Sequence, residues 1–228
     1  LPGFSRFNLS GDGAAEWLRG MCTGGLPKIG RMNLLYFADP RGRILTEMSC
    51  MRHADDFFTL ITAATAQWHD FEWLKQHLAS GLTLIDHTTE YSTLIVTGPK
   101  SRELLSGLAD ADFSTGWLTH QTAQVAGLDA ALARVSFAGE LGWEVHAINA
   151  NIPAIYDAII AAGAKPFGMY ALNSLRLEKG YRTWKGDLST DYTILEGGMN
   201  RFVKWDKDSF RGKAALESER QQGTSKRF

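Results

Sequence analysis

Two segments of the sequence carry carboxylates in surroundings where they could bind a ligand. In the first, residues 136–144, two glycines bracket a turn and Glu144 follows an aromatic residue into an apolar stretch. A carboxylate at the start of an apolar strand can accept hydrogen bonds from a pair of N–H donors, such as those of a guanidine-like heterocycle. By pattern alone, a solvent-facing strand residue is the simpler interpretation of Glu144.

The second segment, residues 173–182, is an apolar helical stretch that carries charges and ends at a glycine. Arg176 and Glu178 lie near its end and Gly180 follows them. Charges in the last turn of a helix commonly form salt bridges or hydrogen bonds to the last carbonyl groups. The pattern alone favours that structural role over a binding site.

Other familiar sites do not match the sequence. Gly11-Asp12-Gly13 lacks the third glycine of a dinucleotide loop, since Glu16 stands in its place. The six histidines show neither HxH nor HExxH spacing, so no metal site is predicted. No GxSxG elbow for a serine nucleophile occurs. Cys22 and Cys50 are far apart and outside any CxxC motif, which predicts ordinary buried thiols.

Composition excludes further classes of function. The chain has 24 basic and 25 acidic residues, a net charge of -1 and no stripe of Lys or Arg, so nucleic acid is not an expected partner. It has no apolar run of about 18 residues and no signal-like start, which predicts a soluble intracellular protein. With 228 residues, 44% of them hydrophobic, one large domain and two small intertwined domains are equally plausible.

A pattern of strand, glycine turn and helix occurs twice in the chain, and this internal echo predicts the elements that position the carboxylates. Residues 4–11 are typical of a strand with a glycine turn, and a helix follows over 14–21. Residues 91–98 and 101–108 repeat this order further along the chain. The echo predicts a pseudo-duplicated α+β sandwich of ferredoxin-like character.

Hydrophobic periodicity predicts the remaining elements. The predicted strands cover residues 32–37, 44–51, 57–62, 122–126, 130–137 and 144–148, and the predicted helices cover 64–78, 153–162 and 168–179. The first three strands form an antiparallel meander. In the helix over 64–78, Trp68, Phe71 and Leu74 or Leu78 recur at helical spacing, which favours a core stripe over a ligand cage.

An ordered set of motifs resembles the aminomethyltransferase family, whose best-known member is the T-protein of the glycine cleavage system. The match is denser to the folate-binding C-terminal module of dimethylglycine oxidases and of dimethylglycine and sarcosine dehydrogenases. The motifs are Gly139–Glu144, Ser174–Trp184, Leu195–Met199, Arg201–Lys204 and Phe210–Leu216. The resemblance implies an α+β fold of two intertwined antiparallel-sheet subdomains with helices. It also implies that residues 1–228 form one module, without the family's first strand and its following C-terminal β-barrel domain.

The resemblance implies tetrahydrofolate as the bound cofactor. Glu144 matches the glutamate that grips the pterin ring, and Phe137 stands where the family often has a tyrosine that also contacts the pterin. Stacking on the pterin is compatible with Phe137, whereas the hydrogen bond of the hydroxyl is lost. Arg176 matches a family arginine near the folate site, although a salt bridge to Glu178 or Glu196 would give the same sequence pattern.

The resemblance also identifies a catalytic position. An aspartate beside the reacting folate nitrogens in T-proteins corresponds in register to Glu47, which keeps the carboxylate on a longer stem. Family tyrosines that line the same strands correspond to Leu34 and Met51, and Tyr36 could fill part of their role. Burial against Leu34 and Met51 is expected to raise the pKa of Glu47.

The function implied by the resemblance is one-carbon transfer to tetrahydrofolate. The methylene or formaldehyde unit would come from oxidation of an N-methylated glycine, dimethylglycine or sarcosine, in an FAD-binding oxidoreductase domain or subunit outside this chain. The product would be 5,10-methylenetetrahydrofolate, formed in the cytoplasm or, in a eukaryote, in the mitochondrial matrix. A stand-alone aminomethyltransferase is the first alternative. A folate-binding iron–sulfur assembly factor is the second, although residues 179–185 lack the cysteine of that group's motif.

Overall fold

Two five-stranded sheets and their helices make up the computed structural model, which describes residues 3–227. The first unit contains Ser5–Asp86 and the residues from Thr183 onward, and the second contains His87–Arg182 with the start of the chain. The chain therefore leaves the first unit at Asp86 and returns to it at Thr183. This order confirms the α+β class and the expectation of two intertwined subdomains.

The first unit holds a sheet of strand order β2-β3-β4-β1-β5. The β2–β3, β3–β4 and β1–β5 pairs are antiparallel, as the predicted meander requires. Three helices belong to this unit. The strands are β1 Phe4–Ser10, β2 Met32–Ala38, β3 Ile44–Ala54, β4 Phe57–Ala63 and β5 Thr83–Asp86, and the helices are α1 Ala14–Met21, α2 Gln67–Gln76 and α6 Lys213–Gln222, with short 3-10 helices at Ala64–Ala66 and Asn200–Phe202.

The second unit holds a sheet of strand order β6-β10-β9-β8-β7, with antiparallel pairing throughout. The predicted echo of a strand followed by a helix recurs as β1–α1 and β6–α3. The similarity of the two copies is limited to this order of strand and helix, because β1 is an inner strand of its sheet whereas β6 is an edge strand. The strands are β6 Tyr91–Thr97, β7 Ala109–Asp110, β8 His120–Val125, β9 Leu128–Ala133 and β10 Gly142–Ile148, and the helices are α3 Ser101–Ser106, α4 Ile152–Ala161 and α5 Met169–Glu178.

The first sheet is covered on both faces within its own unit. Leu35 and Phe37 pack on one face in a cluster that also contains Leu18 of α1 and Leu74 of α2. Tyr36, between them in sequence, faces a second cluster built from Trp184, Leu188, Leu195 and Leu216. Burying side chains of this size stabilises the fold by about 1.5–3 kcal/mol each. The segment after Thr183 therefore forms the roof of the face that carries Tyr36.

The predicted core stripe of α2 was wrong at Trp68, whose side chain is 71% exposed. The inward face of the helix is centred on Asp70 and Leu74, both fully buried, so Trp68 points away at 100° per residue. Phe71 packs against the core as predicted. Because the charged residue Asp70 lies at the centre of the buried face of α2, the apolar residues of the helix do not show which face is buried.

Other differences concern the ends of elements. The strand predicted over 130–137 ends at Ala133, because the N–H of Val135 donates to the carbonyl of Ala133 in a tight turn that bends the chain. Strands β5 and β7 and helix α6 were not predicted. Cys22 and Cys50 are buried free thiols, as predicted, and burial raises the pKa of Cys22 to about 11 although Lys207 opposes the shift.

No helix among residues 3–227 is long and apolar enough to cross a membrane.

Two glycines with the same backbone conformation allow a test of how closely the roof packs at Gly212. Gly13 and Gly212 precede α1 and α6 with φ of 84° and 85°. A Cβ at Gly212 would lie 2.5 Å from the carbonyl oxygen of Asp39, whereas at Gly13 it would meet nothing within 4 Å. We expect Gly13→Ala to cost about 1 kcal/mol from the left-handed backbone and Gly212→Ala about 3 kcal/mol, because the Asp39 turn must also move. Urea unfolding of both variants measures this, and equal losses would contradict the close packing at Gly212.

Candidate functional site

The structure brings four predicted site residues of the first unit together. Tyr36 on β2 is directly opposite Glu47 on β3, and Leu34 is opposite Ser49. Because side chains alternate along a strand, Leu34, Tyr36, Glu47 and Met51 all leave the same face of the sheet. This is the face that the roof covers.

The Glu47 carboxylate is held by two donors and has one oxygen without a partner. The hydroxyl of Tyr36 and the backbone N–H of Trp184 both donate to it. Its Oε2 atom is buried and accepts no hydrogen bond. Burial raises the pKa of Glu47 from its ordinary value of 4.5 to about 7, while the two hydrogen bonds oppose that rise. A carboxyl group of this pKa can take or give a proton near neutral pH.

Trp184, whose backbone N–H donates to this carboxylate, carries a second unsatisfied polar group on its side chain. Its side chain is buried in the roof cluster and its Nε1–H has no hydrogen-bond partner. Leaving a buried polar group unpaired costs about 1–3 kcal/mol, so such groups call for an explanation. An unpaired acceptor on Glu47 and an unpaired donor on the residue that contacts it are a combination that a polar ligand could satisfy.

A buried network on the opposite face anchors the strand that carries Glu47. The hydroxyls of Thr46 and Thr62 donate to Oδ2 of the fully buried Asp70, at 2.9 and 2.7 Å. The ring Nδ1 of His69 lies 2.8 Å from Oδ1 of the same carboxylate. A buried carboxylate is tolerated only when it is hydrogen-bonded in this way. Asp70 thus links α2 to β3 and β4 on the face of the sheet opposite Glu47.

In the second unit, Glu144 lies on β10 between Ile95 of β6 and Ala133 of β9. It projects from the face opposite Trp143, which packs in the apolar core of this unit. The Glu144 side chain is 12% exposed, and its Oε2 is 3.2 Å from Nε2 of His146. Glu144 enters a strand as predicted, but it is largely shielded from solvent. Its role with a pterin stays a prediction.

Phe137 lies in the turn before β10 and stacks on Tyr181. The ring centroids are 6.2 Å apart and the planes are inclined by 18°. The ring of a tyrosine therefore packs against Phe137, whose own position carries no hydroxyl. Tyr181 also lines a pocket of about 270 Å³ together with Trp117, Arg134, Ser136 and the residues from Gly139 to Gly142.

Arg176 has hydrogen bonds that close the end of α5. Its Nε and Nη2 donate to Oδ1 of Asn173 at 2.8 and 2.6 Å, and its Nη1 donates to the carbonyl of Tyr181 at 2.9 Å. The N–H of Tyr181 donates back to the carbonyl of Arg176. These bonds orient the turn that carries Tyr181. A direct folate contact by Arg176 stays a prediction.

Sequence reasoning missed three residues of these sites. Trp184 acts on Glu47 through its backbone N–H, which leaves no mark in a side-chain pattern. Asp70 lies on the apolar face of α2, and a carboxylate at such a position is the sequence feature that could have indicated its role. Tyr181 lies within the Ser174–Trp184 motif, which indicates no role for it, since only the fold brings it against Phe137.

A family model describes this architecture. The model of the GCVT N-terminal domain matches residues 2–207, which is most of the chain. The chain belongs to this family. The recognition of the aminomethyltransferase family from the ordered motifs is therefore confirmed.

Curated relatives fall into two groups. The mitochondrial dimethylglycine dehydrogenase of Rattus norvegicus is 32% identical over 239 residues, covering 100% of this chain and 28% of that protein. The aminomethyltransferase of Chlorobium chlorochromatii is 34% identical over 225 residues, covering 92% of this chain and 60% of that protein. The chain thus spans about a quarter of the first relative and three-fifths of the second.

Solved structures share the fold. The glycine cleavage system aminomethyltransferase T from Bartonella henselae matches with a TM-score of 0.88 at 24% identity, covering 98% of this chain and 62% of that one. The heterotetrameric sarcosine oxidase from Corynebacterium sp. U-96 matches with a TM-score of 0.55 at 18% identity, covering 74% and 85%. These likenesses establish the α+β architecture of the family.

The raised pKa of Glu47 predicts a pH-dependent stability difference for Glu47→Gln. Between pH 4.5 and 7 the folded carboxyl keeps its proton while the unfolded one loses it, so the free energy of unfolding of the wild type falls as pH rises. The variant lacks this loss. We expect it to be more stable than the wild type by up to roughly 3 kcal/mol at pH 8 and nearly equal at pH 5. Urea unfolding at both pH values measures this, and a pH-independent difference would contradict the burial of Glu47.

Removing the hydroxyl that opposes this shift gives a complementary prediction. Because the Tyr36 hydroxyl donates to ionised Glu47 and lowers its pKa, Tyr36→Phe should raise the pKa above about 7. Carboxyl carbon NMR of Glu47 across pH 5–9 would report the midpoint directly. Tyr91→Phe, on β6 of the second unit, is a matched control that should leave the midpoint where it is. An unchanged midpoint in Tyr36→Phe would refute the cross-strand hydrogen bond.

Proposed function

We propose that this chain is a tetrahydrofolate-binding one-carbon transferase module. It takes the methylene or formaldehyde unit from oxidative demethylation of dimethylglycine or sarcosine and delivers 5,10-methylenetetrahydrofolate. Family membership and the dimethylglycine dehydrogenase relatives support this proposal. The observation that carries it is the buried Glu47 carboxyl, with its pKa of about 7 and its unpaired oxygen.

The unpaired groups of the chain fit a reduced folate. Glu47 offers an acceptor and Trp184 a donor that lack partners within the protein, and tetrahydropterins present both N–H donors and acceptors. Glu144 presents a carboxylate that could pair with two neighbouring N–H groups of the pterin ring. Bound tetrahydrofolate supplies the amine nitrogens that accept the one-carbon unit.

The residues of the first unit would move a proton during the transfer. Glu47 can accept the proton that an attacking amine loses and return it to a departing hydroxyl or amine, since its pKa lies near neutral pH. Tyr36 and the N–H of Trp184 keep the carboxylate in one orientation. The roof over this face shields the carboxylate from much of the solvent, which strengthens electrostatic interactions there.

The partner in this proposal is an FAD-binding oxidoreductase domain or subunit. The dimethylglycine dehydrogenase relatives are several times longer than the matching region, and a sarcosine oxidase contains a chain of the same fold. Oxidation of the N-methyl group would take place in that partner. The present chain would receive the one-carbon unit and hold the acceptor.

A stand-alone aminomethyltransferase is the second candidate. The relative from Chlorobium chlorochromatii carries that name and is 34% identical, slightly more than the dehydrogenase. The same carboxylates would serve in both cases. Release of an aminomethyl group from a lipoyl carrier, compared with uptake of formaldehyde, would distinguish the two donors.

Titration calorimetry of tetrahydrofolate into the chain tests the proposal. We expect the wild type to bind, Glu144→Ala to lose at least tenfold in affinity, and Glu47→Gln to bind within about threefold but to form methylenetetrahydrofolate at least tenfold more slowly. Glu103→Ala is the matched control, because Glu103 is an exposed carboxylate on α3 of the same unit as Glu144. It should bind like the wild type.

Two outcomes would count against the proposal. A wild type that does not bind tetrahydrofolate would remove the function while leaving the family assignment intact. A Glu47→Gln variant with unchanged rate of methylenetetrahydrofolate formation above the uncatalysed background would remove the proton-transfer role of Glu47 only.

A further inference from the structure

Glu144 has a close polar neighbour on its own strand. Nε2 of His146 lies 3.2 Å from Oε2 of Glu144, and the two side chains are 2% and 12% exposed. Residues two apart on a strand share a face, so both leave β10 on the side away from the apolar core. His146 is the more deeply buried of the two. Glu144 therefore retains access to a ligand, whereas His146 lies behind it.

A threonine on the neighbouring strand contacts the other ring nitrogen. Thr93 is opposite His146 in the β6–β10 register, and its Oγ1 is 2.9 Å from Nδ1. An ionised carboxylate can only accept, so the nitrogen facing Glu144 must carry a proton. In the neutral imidazole Nδ1 is then the acceptor, and the Thr93 hydroxyl donates to it. The Glu144 carboxylate thereby favours the tautomer in which Nε2–H faces it, and the Thr93 hydroxyl completes that tautomer by donating to Nδ1.

The contact between His146 and Glu144 is short but bent. Nε2 is buried and makes no hydrogen bond of good geometry, although the carboxylate oxygen is within reach. The terminal torsion of a glutamate side chain is broad, so a modest rotation of the carboxylate completes the bond. The hydrogen bond to one carboxylate oxygen would then fix the plane of the carboxylate.

We propose that His146 is a positioning residue for Glu144, with the Thr93 hydroxyl supporting the tautomer of His146 that faces Glu144 with Nε2–H. The imidazole holds the carboxylate in the plane in which its remaining lone pairs meet two N–H donors of a pterin edge. A partner that locks the rotamer of a binding residue raises affinity because less freedom is lost when the ligand binds. This inference rests on the proposed role of Glu144 as the folate anchor.

The side chains opposite this pair on β9 are compatible with such a role. Ala131 is opposite His146 and Ala133 is opposite Glu144 on β9, so small side chains flank both groups. Neither alanine offers a polar atom that could compete for the carboxylate. Within the sheet, the cross-strand side-chain hydrogen bond to the imidazole therefore comes from Thr93.

A double-mutant cycle on tetrahydrofolate binding tests the inference. We expect His146→Leu to weaken binding about tenfold in the wild-type background and less than twofold in the Glu144→Gln background, since its effect passes through the carboxylate. His146→Gln, which keeps an N–H donor, should recover most of the lost affinity. Thermal unfolding of His146→Leu in both backgrounds separates a loss of stability from the loss of affinity.

An equal loss of affinity in both backgrounds would overturn the inference, because His146 would then act independently of Glu144. Long-range ¹H–¹⁵N NMR at pH 8 gives a second readout that needs no folate. The wild type should show His146 protonated at Nε2, and Thr93→Val should weaken that preference. A ring protonated at Nδ1 would also overturn the inference, whereas a wild type that fails to bind folate but shows the Nε2–H tautomer would overturn only the proposed function.

Discussion

The cross-strand pair of Tyr36 and Glu47 is the interaction around which the first unit is organised. A carboxylate on a buried sheet face is costly, and two donors lower that cost without removing it. The unpaired oxygen that remains is what makes the face suited to a ligand. The roof after Thr183 brings the N–H of Trp184 to the carboxylate and covers the sheet at the same time. The same residues therefore complete the core and shape the site.

Each unit has polar side chains on neighbouring elements close to its carboxylate. Behind Glu47, the Asp70 carboxylate binds Thr46 and Thr62 and so fixes β3 and β4 to α2. Beside Glu144, His146 and Thr93 form a shorter chain across β10 and β6. Both arrangements use residues on neighbouring strands, whose spacing is set by the backbone ladder. Sites built on strands in this way are held more precisely than sites on loops.

Much of the fold follows from local patterns. Apolar segments separated by turn sequences predict the meander of β2, β3 and β4, and the glycine turns predict the start of α1 and α3. The misplacement of Trp68 in the core arose because Asp70 occupies the centre of the buried face of α2. The late end predicted for β9 had a different origin, since the alternation of polar and apolar residues continues from Arg134 to Phe137, past the point at which the chain bends. Local periodicity misses both, because it records neither the hydrogen bonds that Asp70 accepts from Thr46 and Thr62 nor the tight turn that Val135 makes with Ala133.

The sequence by itself determined the family and singled out Glu47 and Glu144 as candidate carboxylates, because the ordered motifs are local properties of the chain. The alternation of side chains also determined that Tyr36 and Glu47 share a face once their strands pair. Only the tertiary structure decided how deeply Glu47 is buried, which oxygen stays unpaired, and that Tyr181 stacks on Phe137. Those properties depend on residues brought back by the returning chain, such as Trp184. The pKa of a carboxyl group reflects the dielectric and donors around it, and these exist only after folding.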